Sequence, residues 1–256
     1  MRHNQTIQIT FTFFLMLFHS FVLADTTLVA VASNFSKPMT EIAKNFEKET
    51  GHTAKLSFAS SGKFVSQIEN DAPFEVFLSA DENSPKKLEH DGFAVSGSEY
   101  IYAIGKLVLW SSADGFIDQQ GAVLKNGKFQ HIALADPKLA PYGAAAVDYL
   151  NRHHLLERLQ PLMIMGENIT QTHQLISTGN IELGFIALSQ IIDNGKISNG
   201  SGWIIPNDEY KNIKQGVVLL KTGEKNPAAK ALLNYLKSPS AKTIIQKYGY
   251  DLPNEQ

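Results

Sequence analysis

The stretch Leu28-Val-Ala-Val-Ala-Ser-Asn-Phe-Ser-Lys37 is an apolar run that stops abruptly at small hydroxyl and amide residues. Leu28 to Ala32 reads as a buried parallel strand, a run of Val, Leu and Ala with no polar alternation because both faces are covered. Ser33, Asn34 and Ser36 are helix N-cap types and predict a helix directly behind that strand. A strand-to-helix junction of this kind leaves backbone N–H groups without intrahelical partners. It also turns the positive end of the helix dipole toward the space beyond the strand's carboxyl end. That space is a natural seat for an anion.

The same pattern recurs outward from this point. Pro38 to Thr50 carries Met39, Ile42, Ala43 and Phe46 at helical spacing, with Gly51 as its stop. Lys55 to Ala59 predicts a second strand, then Ser60-Ser61-Gly62-Lys63 and a helix from Phe64 to about Asn70. Glu75 to Ser79 predicts a third strand, and Ala80-Asp81-Glu82-Asn83 opens a helix that runs to Asp91-Gly92. Alternating β and α units predict an α/β fold with a mostly parallel sheet flanked by helices. Tyr100 to Trp110, interrupted by Gly105, is longer than a strand in one small lobe requires and is read as a crossing into a second lobe.

There the pattern resumes: strand His131–Ala135, then Asp136 to Gly143 and a helix from Ala144, with Pro141 just ahead of it and Tyr142 and Gly143 where its free N–H groups would lie. A strand at Pro161–Met165 precedes Gly166-Glu167-Asn168-Ile169-Thr170 and a helix ending at Thr178-Gly179; Asn168 as the cap puts Ile169 in the first turn. Glu182–Ala187 and Trp203–Pro206 predict further strands, with a short helix at Leu188–Asp193 and a polar loop at Asp208–Lys214. Gly216–Leu220 returns the chain, and helices at Pro227–Lys237 and Ser240–Tyr248 close it. The expected division is residues 1–24 as a signal peptide, 25–104 with 217–256 as lobe 1, and 105–216 as lobe 2.

The signal peptide rests on Arg2, an apolar core from Phe11 to Phe18 continued in Val22-Leu23-Ala24, and small or apolar residues suited to cleavage after Ala24. The apolar run falls short of the roughly 20 residues a membrane-spanning helix needs. Losing Arg2 turns 23 Lys plus Arg into 22, against 25 Asp plus Glu, a net charge of about −3. Such a surface does not suit nucleic acid and does not steer anions inward, so an anion site must be local and built from dipoles. The absence of cysteine excludes disulfides, thiolate metal sites and a lipid-modified N-terminal Cys, and leaves a periplasmic location as the simplest expectation. The remaining 232 of 256 residues suit two lobes better than one core.

Four junctions therefore have the character of the first: Ser33-Asn34, Ser60-Ser61, Tyr142-Gly143 and Asn168-Ile169. Any one is explained by plain capping; four from two lobes, at carboxyl ends of strands facing a cleft, describe a ligand site. Lys63 does not belong to a phosphate-gripping loop, since position 57 is Ser rather than Gly and Phe64 stands where Ser or Thr is required. His153 and His154 point about 100° apart on a helix and cannot share a metal. No zinc-protease, nucleophile-elbow or dinucleotide motif is present, so no cofactor and no catalytic residue is assigned. Asp81 and Asp136 are read as caps, because a carboxylate in the cleft would repel an anion, and Trp110 and Trp203 as packing residues.

With these residues assembled, the mature chain resembles the periplasmic molybdate-binding proteins of molybdate ABC transporters. The marks are Val31-Ala-Ser-Asn-Phe35, Phe58-Ala-Ser-Ser-Gly62, Phe74-Glu-Val-Phe-Leu-Ser-Ala-Asp81, Ala135-Asp-Pro-Lys-Leu-Ala-Pro-Tyr-Gly143 and Gly166-Glu-Asn168, with Tyr235-Leu-Lys-Ser-Pro239 and Ile244–Gly249 at the end. The resemblance implies a two-lobed type II substrate-binding fold with two crossing strands as a hinge, and a ligand, molybdate and usually tungstate, held by neutral donors. Carried over by motif, the donors are the hydroxyl and N–H of Ser33 and Ser61 and the N–H groups of Tyr142 and Ile169. Asn34 resembles members that use an amide beside the first serine. The implied partners are a membrane permease and its cytoplasmic ATPase, with the receptor itself a monomer. One departure stands out: many relatives place a tyrosine hydroxyl where this chain has Ala187, and Asn34, or less readily the phenol of Tyr142, is the expected substitute.

Two other readings compete. A receptor for an amino acid needs an arginine for the carboxylate, and only Arg152 and Arg158 follow the signal peptide, both away from the expected cleft; sulfate and phosphate are disfavoured by the motifs alone. A secreted phosphate-ester hydrolase needs a nucleophile with a base, or a metal site, and the sequence offers neither.

Overall fold

The computed structural model describes residues 24–254 apart from Gln119 and Asn194, so the signal peptide expected over residues 1–24 lies outside the described residues except for Ala24. The chain runs β1 (Thr26–Ala32), α1 (Ser36–Thr50), β2 (Thr53–Ala59), α2 (Ser61–Glu69), β3 (Val76–Leu78), α3 (Asn83–His90) and β4 (Tyr100–Gly105). It continues through β5 (Leu107–Ser111), α4 (Val123–Asn126), β6 (Ile132–Ala135), α5 (Pro141–Arg152), α6 (Leu156–Leu159), β7 (Met163–Gly166), α7 (Ile169–Ser177) and β8 (Leu183–Ala187). A short ribbon of β9 (Ile192–Asp193) and β10 (Lys196–Ile197) precedes β11 (Ser201–Ile204), β12 (Ile213–Leu219), α8 (Pro227–Tyr235) and α9 (Pro239–Lys247).

Two five-stranded sheets make the two lobes, ordered β2-β1-β3-β12-β4 and β11-β5-β8-β6-β7. Strand β1 shows why helices cover both faces of the first. Val29 and Val31 point into a core with Met39, Ile42 and Phe46 of α1 and with α8 and α9. Ala30, one residue out of phase, points to Phe64 and Ile68 of α2 and Leu88 of α3. The second sheet repeats this, Leu107 and Leu109 of β5 facing α5 and Val108 and Trp110 facing Ile176 of α7. Helix α1 ends at Gly51, whose φ of 76° is the left-handed cap that glycine adopts without strain.

The chain crosses between sheets through Lys106, between β4 and β5, and again between β11 and β12. The second crossing ends sooner than the sequence suggests, since β12 begins at Ile213 rather than Gly216 and pairs Ile213 with Gly105. The sheets are mixed rather than mostly parallel. Strand β12 runs antiparallel to β3 and β4, and β5 runs antiparallel to β8 and β11. A strand that enters from the other lobe has no crossover helix to reverse it, so it arrives opposed to the βα units already in place. The helix expected at Leu188–Asp193 is a single 3-10 turn, Leu188–Gln190, followed after Ile191 by β9.

Candidate functional site

The site is assembled at the carboxyl ends of four parallel strands. In the first lobe Ala32 of β1 pairs with Ala59 of β2, so Ser33 and Ser60 leave the sheet side by side. In the second lobe Ala135 of β6 pairs with Gly166 of β7, which brings the starts of α5 and α7 together. The lobes touch along this line. The Gly62 N–H donates to Leu139 O at 2.9 Å, the Thr170 hydroxyl donates to Ser33 O at 3.2 Å, and Lys63 pairs with Glu167 at 2.6 Å.

Between them lies a small cavity lined by all five residues expected from the sequence, Ser33, Asn34, Ser61, Tyr142 and Ile169, together with Ser60 and the small apolar Ala32, Ala80, Ala140 and Pro141. Among the described residues no charged side chain lines it. The donors are prepared by their local structure. The Ser61 hydroxyl accepts from the Ala80 N–H at 2.9 Å, which leaves its own proton to donate. Asn168 caps α7 by accepting from Thr170 and Gln171, at 3.0 Å each, and so leaves the Ile169 N–H of the first turn outside the cap. Pro141 opens α5 without an N–H, making Tyr142 the first donor of that helix. Helix α5 approaches so closely that a Cβ on Gly143 would stand 2.0 Å from Ala135 O. Ser33 opens a 3-10 turn, Ser33–Phe35, and α1 begins only at Ser36.

The two side chains expected to substitute for the tyrosine hydroxyl at Ala187 are committed elsewhere. The Asn34 amide donates one proton to Gln215 Oε1 at 2.9 Å and the other to the Tyr250 hydroxyl at 3.0 Å. The Tyr142 hydroxyl accepts from Gln215 Nε2 at 3.2 Å and also hydrogen-bonds the Tyr250 hydroxyl. Both belong to a buried network behind the cavity. In it Tyr102 also donates to Gln215 Oε1, and Tyr250 and Ser189 each donate to Asn34 O, at 2.8 Å. Gln215 is aimed inward by a bulge in β12 between Gln215 and Gly216. Gly105 beside it has no room for a side chain, since a Cβ would meet the Tyr142 hydroxyl at 2.1 Å. Burial pushes the phenols of Tyr102 and Tyr142 well up and that of Tyr250 up to about 12, so all three are neutral. Ala187 itself ends β8 and donates its N–H to Gln190 Oε1.

The other residues singled out in the sequence lie outside the cavity. Asp81 and Asp136 accept from backbone N–H groups of Ser84 and Lys138, as caps do. His153 pairs with Glu209, Arg152 with Asp148, and Arg158 donates to Leu124 O. Trp110 is buried, stacks on His173 and donates to Asn199 O; Trp203 packs edge-on to Tyr149.

A family described as bacterial extracellular solute-binding protein matches residues 27–251. The chain belongs to this family. Within it, this solute-binding protein is 54% identical over 224 residues to the molybdate-binding protein ModA of Azotobacter vinelandii, covering 88% of this chain and 89% of that one. It is 50% identical over 227 residues to ModA of Rhodobacter capsulatus, covering 89% and 88%. Among solved structures it superposes on the Azotobacter vinelandii periplasmic molybdate-binding protein with a TM-score of 0.86 at 42% identity, over 89% of this chain and all of that one.

Proposed function

We infer that this solute-binding protein captures molybdate in the periplasm and delivers it to the membrane permease of an ABC transporter. The observation that carries this reading is the cavity between the lobes, lined by serines and helix starts and, among the described residues, by no charged side chain. It is supported by identities of 54% and 50% to two molybdate-binding proteins over nearly the full chain. Ser33 and Ser61 supply hydroxyl and N–H, Tyr142 and Ile169 supply N–H, and Asn34 contributes through its backbone, its amide being held by Gln215 and Tyr250. Several dipoles in a dry cleft replace the hydration of the ion without a counter-charge. Each hydrogen bond to a charged partner contributes on the order of 1.5–3 kcal/mol, so a handful suffices for tight binding after desolvation is subtracted.

Closure of the lobes about the two crossing strands then presents a joint surface to the permease. Tungstate fits the same shell, whereas sulfate is smaller and leaves gaps in a shell whose donors are fixed by backbone. The protein acts as a monomeric receptor, not an enzyme. Among the described residues none of the cavity serines hydrogen-bonds a histidine or carboxylate that could activate it. The signal peptide is cleaved after Ala24.

Calorimetric titration of the wild type and Ser61→Ala with molybdate, tungstate and sulfate tests this. Molybdate and tungstate should bind far more tightly than sulfate, and the loss of one hydroxyl should weaken molybdate by roughly 1–3 kcal/mol without unfolding the protein. Equal affinity for sulfate would overturn selection by size, and an unchanged Ser61→Ala would remove that hydroxyl from the shell.

A further inference from the structure

We propose that Ser60 is an additional ligand-binding residue, its hydroxyl donating to the bound oxyanion in place of the tyrosine that Ala187 lacks. The inference rests on the oxyanion reading above. Ser60 occupies the N-cap position of α2, where a serine hydroxyl ordinarily accepts from the N–H two or three residues on. Here it makes no such bond. The Gly62 N–H, one of the two it would cap, crosses the cleft to Leu139 O at 2.9 Å. The Ser60 carbonyl is engaged along α2 by the Phe64 N–H at 3.2 Å, so the hydroxyl is the polar group left over. Only 3% of the residue is exposed, and the hydroxyl has no hydrogen-bond partner among the described residues.

A buried hydroxyl without a partner is costly and uncommon, and it points to a function. Among the described residues two other buried side-chain atoms share this state, Thr27 Oγ1 and Glu99 Oε1, and neither residue lines this cavity. Ser60 does, beside Ser33 and Ser61. Its proton is unassigned, whereas those of the Asn34 amide go to Gln215 and Tyr250. A tetrahedral oxyanion carries only acceptors, so an unpaired hydroxyl proton at its wall is the complement it requires.

The test is titration of wild type, Ser60→Ala and Ser60→Cys with sodium molybdate, together with thermal unfolding of each without ligand. Ser60→Ala should bind molybdate about tenfold or more weakly, with Ser60→Cys between it and the wild type, because a thiol is a poorer donor. The ligand-free melting temperature of Ser60→Ala should stay the same or rise, since the substitution removes an unsatisfied buried group. Wild-type affinity in Ser60→Ala would overturn the proposal, as would a loss of affinity matched by a lower melting temperature, which marks a structural role. A wild type that gives no heat with molybdate would instead sink the oxyanion reading itself, and the Ser60 assignment with it.

Discussion

Tyr250 is 3% exposed, and its hydroxyl sits between Asn34 and Ser189, where desolvation raises its pKa to about 12. In the unfolded chain the same phenol titrates near 10. The folded state therefore holds the proton more tightly. The resulting stability is complete below pH 10 and is lost as pH rises through 12, on the order of 2–3 kcal/mol in all. Thermal unfolding followed from pH 8 to 11.5 should show a falling melting temperature, with a shallower fall in Tyr250→Phe; an identical slope in the variant would remove Tyr250 as a source. The same network explains what could not be read for Asn34. Its place beside the first serine was legible from the motif, but its amide partners lie 181 and 216 residues away along the chain, and nothing in local spacing announces them. Ser60 was legible as a cap type, and only the three-dimensional course of the Gly62 N–H shows that it does not cap.

Helix α7 carries its own prediction, because Asn168 both starts the helix and determines which N–H is left for the cavity. Asn168→Ala should lower stability by about 1 kcal/mol through loss of the cap. Asn168→Asp keeps an equally good cap but sets a negative charge one residue from the Ile169 donor, so it should hold its melting temperature while molybdate affinity falls at least tenfold. Calorimetry paired with thermal unfolding separates the two variants; an Asp variant that binds like the wild type would place the start of α7 outside the site. Elements of this kind were readable in advance where a strand, a cap residue and an amphipathic run follow one another. The 3-10 turn at Leu188–Gln190 was not, because the segment Leu188–Asp193 is too short for its three apolar residues to separate helix from strand patterns.

Across the whole molecule, the lobes meet through contacts of unequal weight. Lys63 and Glu167 bridge the cleft at 2.6 Å, but their side chains are 45% and 49% exposed. Such a pair is worth about 0–1 kcal/mol and less in salt. Lys63→Ala should therefore change molybdate affinity less than about fivefold, and that of the wild type should vary little between 50 and 500 mM salt. A steep salt dependence would mean that charge, not dipoles, holds the ion. The buried hydrogen bond from Gln215 to the Tyr142 hydroxyl, by contrast, joins the lobes out of solvent.

By itself the sequence determined the succession of βα units, the long crossing near Gly105 and the serine and amide residues at four helix starts, because all of these are local properties of a chain: periodicity, caps and breakers. Only the tertiary structure decided that the crossing strands make both sheets mixed, that the Asn34 and Tyr142 side chains turn to Gln215, and that Ser60 keeps an unpaired hydroxyl at the cavity. The reason is that hydrogen-bond partners are shared out among groups distant in sequence, and which donor remains for a ligand is known only once every nearer acceptor has been placed.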